Sequence, residues 1–297
     1  MKFPESVTII SDEISQELDV VAAFVREMGF PGIELRSAFG RAFKDLTPSD
    51  ISQIQARAQS ENWKVFGCST PVFKCPLSDR TAIAQHREEC KRALDVANTL
   101  QSKLLRVFTF LRDSARDDSS WPQRVAEELL KLGELAAGSG IRIGVENESS
   151  CLMATADETL AVMQSLPASL FGVIWDPCNV IYVPEARLPE TNDVTRLFSR
   201  LFHVHVKDAV RRGQSGFAMP VGVGEAGWRG ELAELRRLGY QGMLSLETHW
   251  RLEAIKESEL HLPAGYSFSR GGEIASRVCA RNLQSLLALE AAATASH

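Results

Sequence analysis

The sequence predicts an α/β protein built as a single (β/α)8 TIM barrel over residues 1–297, and three observations predict it. Short runs rich in Val, Ile, Leu and Phe alternate eight times with longer stretches of helical periodicity, the pattern of successive βαβ units on a parallel sheet. The 297 residues hold these units with no second domain's worth of chain left over, slightly more than the roughly 250 residues usual for such a barrel. An open doubly wound sheet would want a glycine-rich turn after its first strand, where Ser11-Asp12-Glu13-Ile14-Ser15 stands instead.

Strands are expected at 7–11, 32–36, 63–69, 104–109, 141–147, 171–176, 202–207 and 243–248, and helices at 18–29, 48–61, 80–100, 121–138, 155–166, 188–200, 230–239 and 273–289. Their ends carry the expected punctuation: Thr47-Pro48 opens the second helix, and Gly29, Gly138 or Gly140, and Gly239 close others. Long loops near 209–229 and 249–272 follow strands, which places both on the face where such barrels keep their active sites. The first of them contains one GxGxxG, Gly222 to Gly227, but without the strand-turn-helix context of a dinucleotide fingerprint. The Ala-rich tail 291–295 is expected to fray.

Composition removes several classes of function. An apolar fraction of 44% and a charged fraction of 24% describe a folded chain with a sizeable core. A net charge of −5 offers no long-range field for a polyanion, so nucleic acid is disfavoured. Six cysteines form no CxxC pair, no zinc-ribbon spacing and no framework of staples. The first residues lack a signal-peptide core, and no apolar run approaches the roughly 18 residues of a membrane helix. A cytoplasmic protein with no membrane partner is the expectation.

Side chains alternate across a strand, so parity sorts those that face the barrel axis from those that face the helices. Ile143 and Val145 oppose Gly144 and Glu146; Val204 and Val206 oppose His203 and His205; Leu244 and Leu246 oppose Ser245 and Glu247. With the apolar faces against the helices, Glu146, His205 and Glu247 point inward. Strand 171–176 is apolar on both faces until Asp176 ends it, so parity is silent there. Asp176 falls 30 residues after Glu146, His205 follows by 29 and Glu247 by 42, against about 31 per barrel unit, the last step being lengthened by the 209–229 loop. Singly, each acid at a strand end reads as a salt-bridge partner. Together they place three carboxylates and an imidazole at the ends of four adjacent strands, where the carboxylates repel unless a cation sits among them. Mostly hard oxygen donors suit Mn2+ or Mg2+, with Co2+ and Zn2+ as alternatives.

These residues also carry a resemblance. Ile143-Gly144-Val145-Glu146-Asn147, Trp175-Asp176-Pro177-Cys178-Asn179, His203-Val204-His205-Val206-Lys207-Asp208, Gly222 to Trp228 and Gly239 to Glu247 are similar, in order, to motifs of the xylose-isomerase-like TIM-barrel superfamily of sugar isomerases and epimerases. That resemblance implies metal ligation by Glu146, Asp176, His205 and Glu247, with Glu146 and Glu247 also the acid–base pair of the epimerase branch. It implies substrate contacts for Asp208, which takes the place of a glutamate, and for Arg211. Asn179 stands where several epimerases have a histidine. The implied activity is isomerisation or epimerisation of a small sugar, ketose or polyol-derived keto compound through a metal-stabilised enediolate. The alternative is dehydration of an inosose or dehydroshikimate-like substrate. The partner is a small carbohydrate-like molecule, and a homo-oligomer remains open.

Glu34 and Arg36 share a face of strand 32–36 and could bind substrate or pair inside the barrel; Arg106 is similar. His203 reads as a hydrogen-bonded core histidine, and Lys207 fits either substrate or a carboxylate. An abasic-site endonuclease of the same fold would need more histidines than the six present, and a non-catalytic sugar binder would not need two metal-bound glutamates.

Overall fold

A computed structural model describes residues 7–253 and 266–295. Eight parallel strands form a nearly closed barrel: β1 (Val7–Ile9), β2 (Gly32–Leu35), β3 (Lys64–Ser69), β4 (Leu104–Val107), β5 (Arg142–Glu146), β6 (Phe171–Trp175), β7 (Leu201–Val206) and β8 (Leu244–Leu246). Hydrogen-bonded pairing runs from β1 through β8, β7, β6, β5, β4 and β3 to β2. The remaining seam, between β1 and β2, is held by a bridge from Ile10 to Glu34 and by the Thr8 hydroxyl, which donates to the Gly32 carbonyl at 2.8 Å.

Helices α1 (Leu18–Met28), α2 (Pro48–Glu61), α3 (Arg80–Thr99), α4 (Trp121–Ala136), α5 (Ala156–Met163), α6 (Thr191–Leu197), α7 (Trp228–Arg237) and α8 (Gly272–Ala295) follow their strands. Local chemistry starts and stops them. Thr47 and Asp50 close a capping box on α2, as Thr155 and Glu158 do on α5, and Gly29 ends α1 in the left-handed region at φ 68°.

The outward faces of the strands, including Ile143, Val145, Val204, Val206, Leu244 and Leu246, are sealed beneath these helices. Inside, the lower barrel is filled by bulk placed over glycine. A Cβ on Gly144 would lie 2.6 Å from Ile174, and one on Gly172 would lie 2.1 Å from the Phe202 ring. Ile174 thus shares the inward face, and Asp176, two residues on, inherits it where apolar parity was silent. Above this plug the interior is polar.

Three features depart from the sequence expectation. The stretch expected as a loop near 209–229 opens as an antiparallel hairpin, Asp208–Arg212 paired with Ser215–Met219. Its strands, Asp-Ala-Val-Arg-Arg and Ser-Gly-Phe-Ala-Met, are short and carry no strict alternation of apolar and polar residues. The tail 291–295 is helical to Ala295 rather than frayed, in keeping with the high helix propensity of alanine. Of the expected loop 249–272, residues 254–265 lie outside the described residues; Tyr266–Ser269 forms a short helix.

Candidate metal centre

Four strand ends bring Glu146, Asp176, His205 and Glu247 together at the C-terminal mouth of the barrel. One ligand atom from each lies within 4.8 Å of all the others, and all four residues are buried. Glu146 ends β5, and its Oε1 stands 3.0 Å from His205 Nδ1 while Oε2 accepts from Arg106 at 2.7 Å. Glu247 mirrors it. Its Oε1 accepts from Arg36 at 2.7 Å, and its Oε2 accepts from Lys207 at 2.8 Å and lies 3.8 Å from His205 Nδ1.

Asp176 caps the short helix Pro177–Ile181, its Oδ1 accepting the Cys178 and Asn179 N–H groups at 2.9 and 3.2 Å. Asn147 fixes the same turn, its side chain accepting from the Asp176 N–H at 2.7 Å and donating to the Asp176 carbonyl at 2.9 Å. This leaves Asp176 Oδ2 aimed into the cluster, buried and without a hydrogen bond, with the Lys207 ammonium 2.7 Å away but poorly aligned for one. Ion-paired to Lys207 but without an aligned hydrogen bond, and among three other converging donors, this oxygen fits a cation ligand.

Charge points the same way. Asp12, Glu13, Glu146, Asp176 and Glu247 at the mouth and Glu34 just below it are all buried, whereas the cations of fixed charge that contact this group are Arg36, Arg106, Lys207 and Arg251. Six negative groups face four positive ones, and a divalent ion would cancel the difference. In the protein alone, protons stand in for it. Burial would strip His205, but Glu34 and Glu146 outweigh it and hold the imidazole pKa well above its usual value. Burial, with Glu247 and Glu146 adding to it against Lys207, pushes Asp176 up to about 6. Burial also pushes Glu146 upward, yet His205 and Arg106 prevail and bring it down to about 2.

The other expected site residues are placed as follows. Asn179 donates to the Asn147 carbonyl at 2.7 Å and reaches Glu146 Oε1 at 3.4 Å, inside the cluster. Arg36 is bound by Asp12, Glu13 and Glu247, so its donors serve the protein's own carboxylates. Glu34 lies below the mouth against His203, His205 and Ser69 and is 1% exposed, which favours the pairing inside the barrel among its two expected roles.

Asp208 and Arg211, both expected to contact substrate, are engaged with the protein's own backbone. Asp208 accepts the N–H groups of Ala209, Gly222, Gly224 and Ala226 at 2.9 to 3.1 Å. The GxGxxG is therefore a backbone nest for the protein's own carboxylate; a Cβ on Gly224 would lie 2.2 Å from Asp208 Oδ1. Arg211 spends its guanidinium on the carbonyls of Val180, Ile181 and Ala186, closing the end of the helix after Asp176.

Sequence reasoning missed Asp12, Glu13, His249 and Arg251. Asp12 and Glu13 sit in a 3-10 turn, Ser11–Glu13, where strand parity no longer applies. His249 keeps the parity of Glu247 and lies with its Nε2 3.3 Å from Glu247 Oε1, a signal the sequence did contain. Its ring stacks on Phe268 at 4.4 Å, and its backbone is left-handed at φ 46°, a strained conformation at the rim of the mouth.

Fold and cluster together define a (β/α)8 barrel with a carboxylate-rich, cation-ready mouth. The family model for xylose isomerase-like TIM barrels matches residues 22–266, and the chain belongs to that family. A comparison with curated proteins finds no significant match. Among solved structures, the IOLI protein with a binding zinc atom is similar at 14% identity and a TM-score of 0.73, over 96% of this chain and 99% of that one. A D-tagatose 3-epimerase-like protein is similar at 15% identity and a TM-score of 0.72, over 97% and 99%. The probable 3-DHS dehydratase AsbF of petrobactin synthesis from Bacillus anthracis is similar at 15% and 0.67, over 91% and 98%.

Proposed function

We propose that the protein is a divalent-metal-dependent isomerase or epimerase of a small sugar, ketose or polyol-derived keto compound. The observation that carries this reading is the mirrored pair of glutamates on the cluster: Glu146 and Glu247 each turn one oxygen toward His205 Nδ1 and hold the other on an arginine. Glu146, Asp176, His205 and Glu247 would hold the ion, which suits Mn2+ or Mg2+ by its oxygen-rich donors. When bound, it would polarise a carbonyl and its neighbouring hydroxyl and offset the charge that develops as a C–H proton leaves.

The proton is moved by the chain. A carboxylate oxygen of one glutamate takes it from carbon; in isomerisation the same glutamate returns it to the neighbouring carbon while the hydroxyl proton passes to the carbonyl oxygen, and in epimerisation the other glutamate delivers a proton taken up from solvent to the opposite face. Arg36 and Arg106 fix the two carboxylates in orientation, so neither has to reorganise as charge develops. Lys207, buried between Asp176 and Glu247, supports the dehydratase alternative, since an ammonium there can assist a departing hydroxyl.

The test uses metal-loaded protein with ketoses, inososes and hydroxy-keto acids in D2O. Solvent deuterium at carbon without a new enone supports isomerase or epimerase, and enone absorbance supports the dehydratase. Glu146→Gln and Glu247→Gln should each lower turnover by about 10²- to 10⁴-fold. Absence of both exchange and dehydration across the panel would overturn the reading.

A further inference from the structure

An imidazole that ligates a metal offers one ring nitrogen, and which one is set by the hydrogen bond the other makes. His205 has its nitrogens facing opposite ways. Nδ1 looks up to the cluster, 3.0 Å from Glu146 Oε1 and 3.8 Å from Glu247 Oε2. Nε2 looks down the barrel, 3.1 and 3.2 Å from the two oxygens of Glu34.

Glu34 is itself held. His203 Nε2 lies 2.9 Å from its Oε2, and the Ser69 hydroxyl donates to Oε1. Gly67 makes room on the neighbouring strand, where a Cβ would lie 3.3 Å from Glu34 Cγ. Glu34, Ser69, His203 and His205 are all buried.

We infer that Glu34 is a positioning residue: it accepts the Nε2–H of His205, so that the Nδ1 lone pair faces the divalent cation, while His203 and Ser69 hold Glu34 in place. The inference rests on the metal-dependent reading above and gives that site its orientation. Glu34, His203 and His205 also lie close enough to hold an ion by themselves. However, that layer offers one carboxylate, and both histidines already bond it.

The experiment is 15N NMR of the full-length, histidine-labelled protein with and without Zn2+, the resonances of His205 identified by their loss in His205→Gln. The inference expects zinc to move the Nδ1 resonance of His205 while Nε2 keeps its proton. Zinc on Nε2 of His205, or on His203, would overturn it and leave a metal-binding protein. A wild type that takes up no divalent ion would overturn it together with the proposed function. In parallel, Zn2+ affinity is measured by chelator competition. Glu34→Ala should bind about 10- to 100-fold more weakly, and Glu34→Gln, whose amide oxygen can still accept the Nε2–H, should recover most of that loss. Wild-type affinity in a folded Glu34→Ala would overturn the inference, and where that variant fails to fold, the wild-type spectrum still decides.

Discussion

His205 shows at the scale of one residue how the site is tuned. Flanked by Glu34 and Glu146, it holds a proton at neutral pH in the protein alone, and Asp176, raised to about 6, begins to hold one just below. Both would have to give up those protons to bind an ion. Calorimetry in buffers of different ionisation enthalpy should therefore find about one proton released per ion at pH 7 and more near pH 5.5. A release of zero at both pH values would contradict this account of His205 and Asp176. Much of the cluster was legible at this scale, because a period of two is enough to turn Glu146, His205 and Glu247 inward. Asp12 and Glu13 were not, since a 3-10 turn rotates side chains away from strand parity. The pairing of Arg36 with Glu247 was also out of reach, joining residues 211 positions apart.

Among the elements, the segment from β7 to α7 does most to frame the mouth. Asp208 satisfies four backbone N–H groups, three of them from the returning chain, and the Trp228 indole donates to the Lys207 carbonyl at 2.7 Å. Asp208→Ala should lower stability by about 3 kcal/mol in urea denaturation, through the unpaired backbone donors. An unchanged midpoint with a raised KM would instead return Asp208 to substrate binding. Further along α7, Glu231 is buried and accepts from the Trp175 indole at 2.8 Å. Burial pushes its carboxyl up to about 8, with Asp193 and Glu234 adding to the rise against the indole bond.

A pKa raised on folding means that the native state holds the proton more tightly than the unfolded chain. The resulting stability is present below the unfolded value of about 4.5 and fades as pH rises toward 8. Over that window Glu231→Gln should lose less stability with rising pH than wild type, by up to about 1.4 kcal/mol per pH unit, in parallel denaturation series. Identical slopes would contradict the assignment. Neither the hairpin nor this pairing was legible in sequence. The hairpin strands lack strict alternation of apolar and polar residues, and Glu231 reads as an ordinary exposed acid in the first turn of a helix.

For the whole molecule, the eightfold alternation of strand and helix was plain in the sequence, because each strand buries both faces and each helix one. What sequence could not give is how the barrel's interior divides. Ile174 and Phe202 occupy space left by Gly144 and Gly172 low in the barrel, which confines the polar groups to the mouth. The excess of buried carboxylates over fixed cations could accommodate a divalent ion, and its binding would stabilise the whole fold. At an ion concentration about 100 times Kd the gain is about 2.7 kcal/mol. Among the described residues no helix is long and apolar enough to cross a membrane.

The central claim is that Glu146, Asp176, His205 and Glu247 hold one divalent ion on which the chemistry depends. Metal analysis of the protein purified without chelator, beside Asp176→Asn and Glu247→Gln, tests it most directly. The account predicts about one ion per wild-type chain, of the class bound by oxygen-rich sites, and strongly reduced content in both variants. Equal metal content in all three proteins, or none in the wild type after loading, would contradict it.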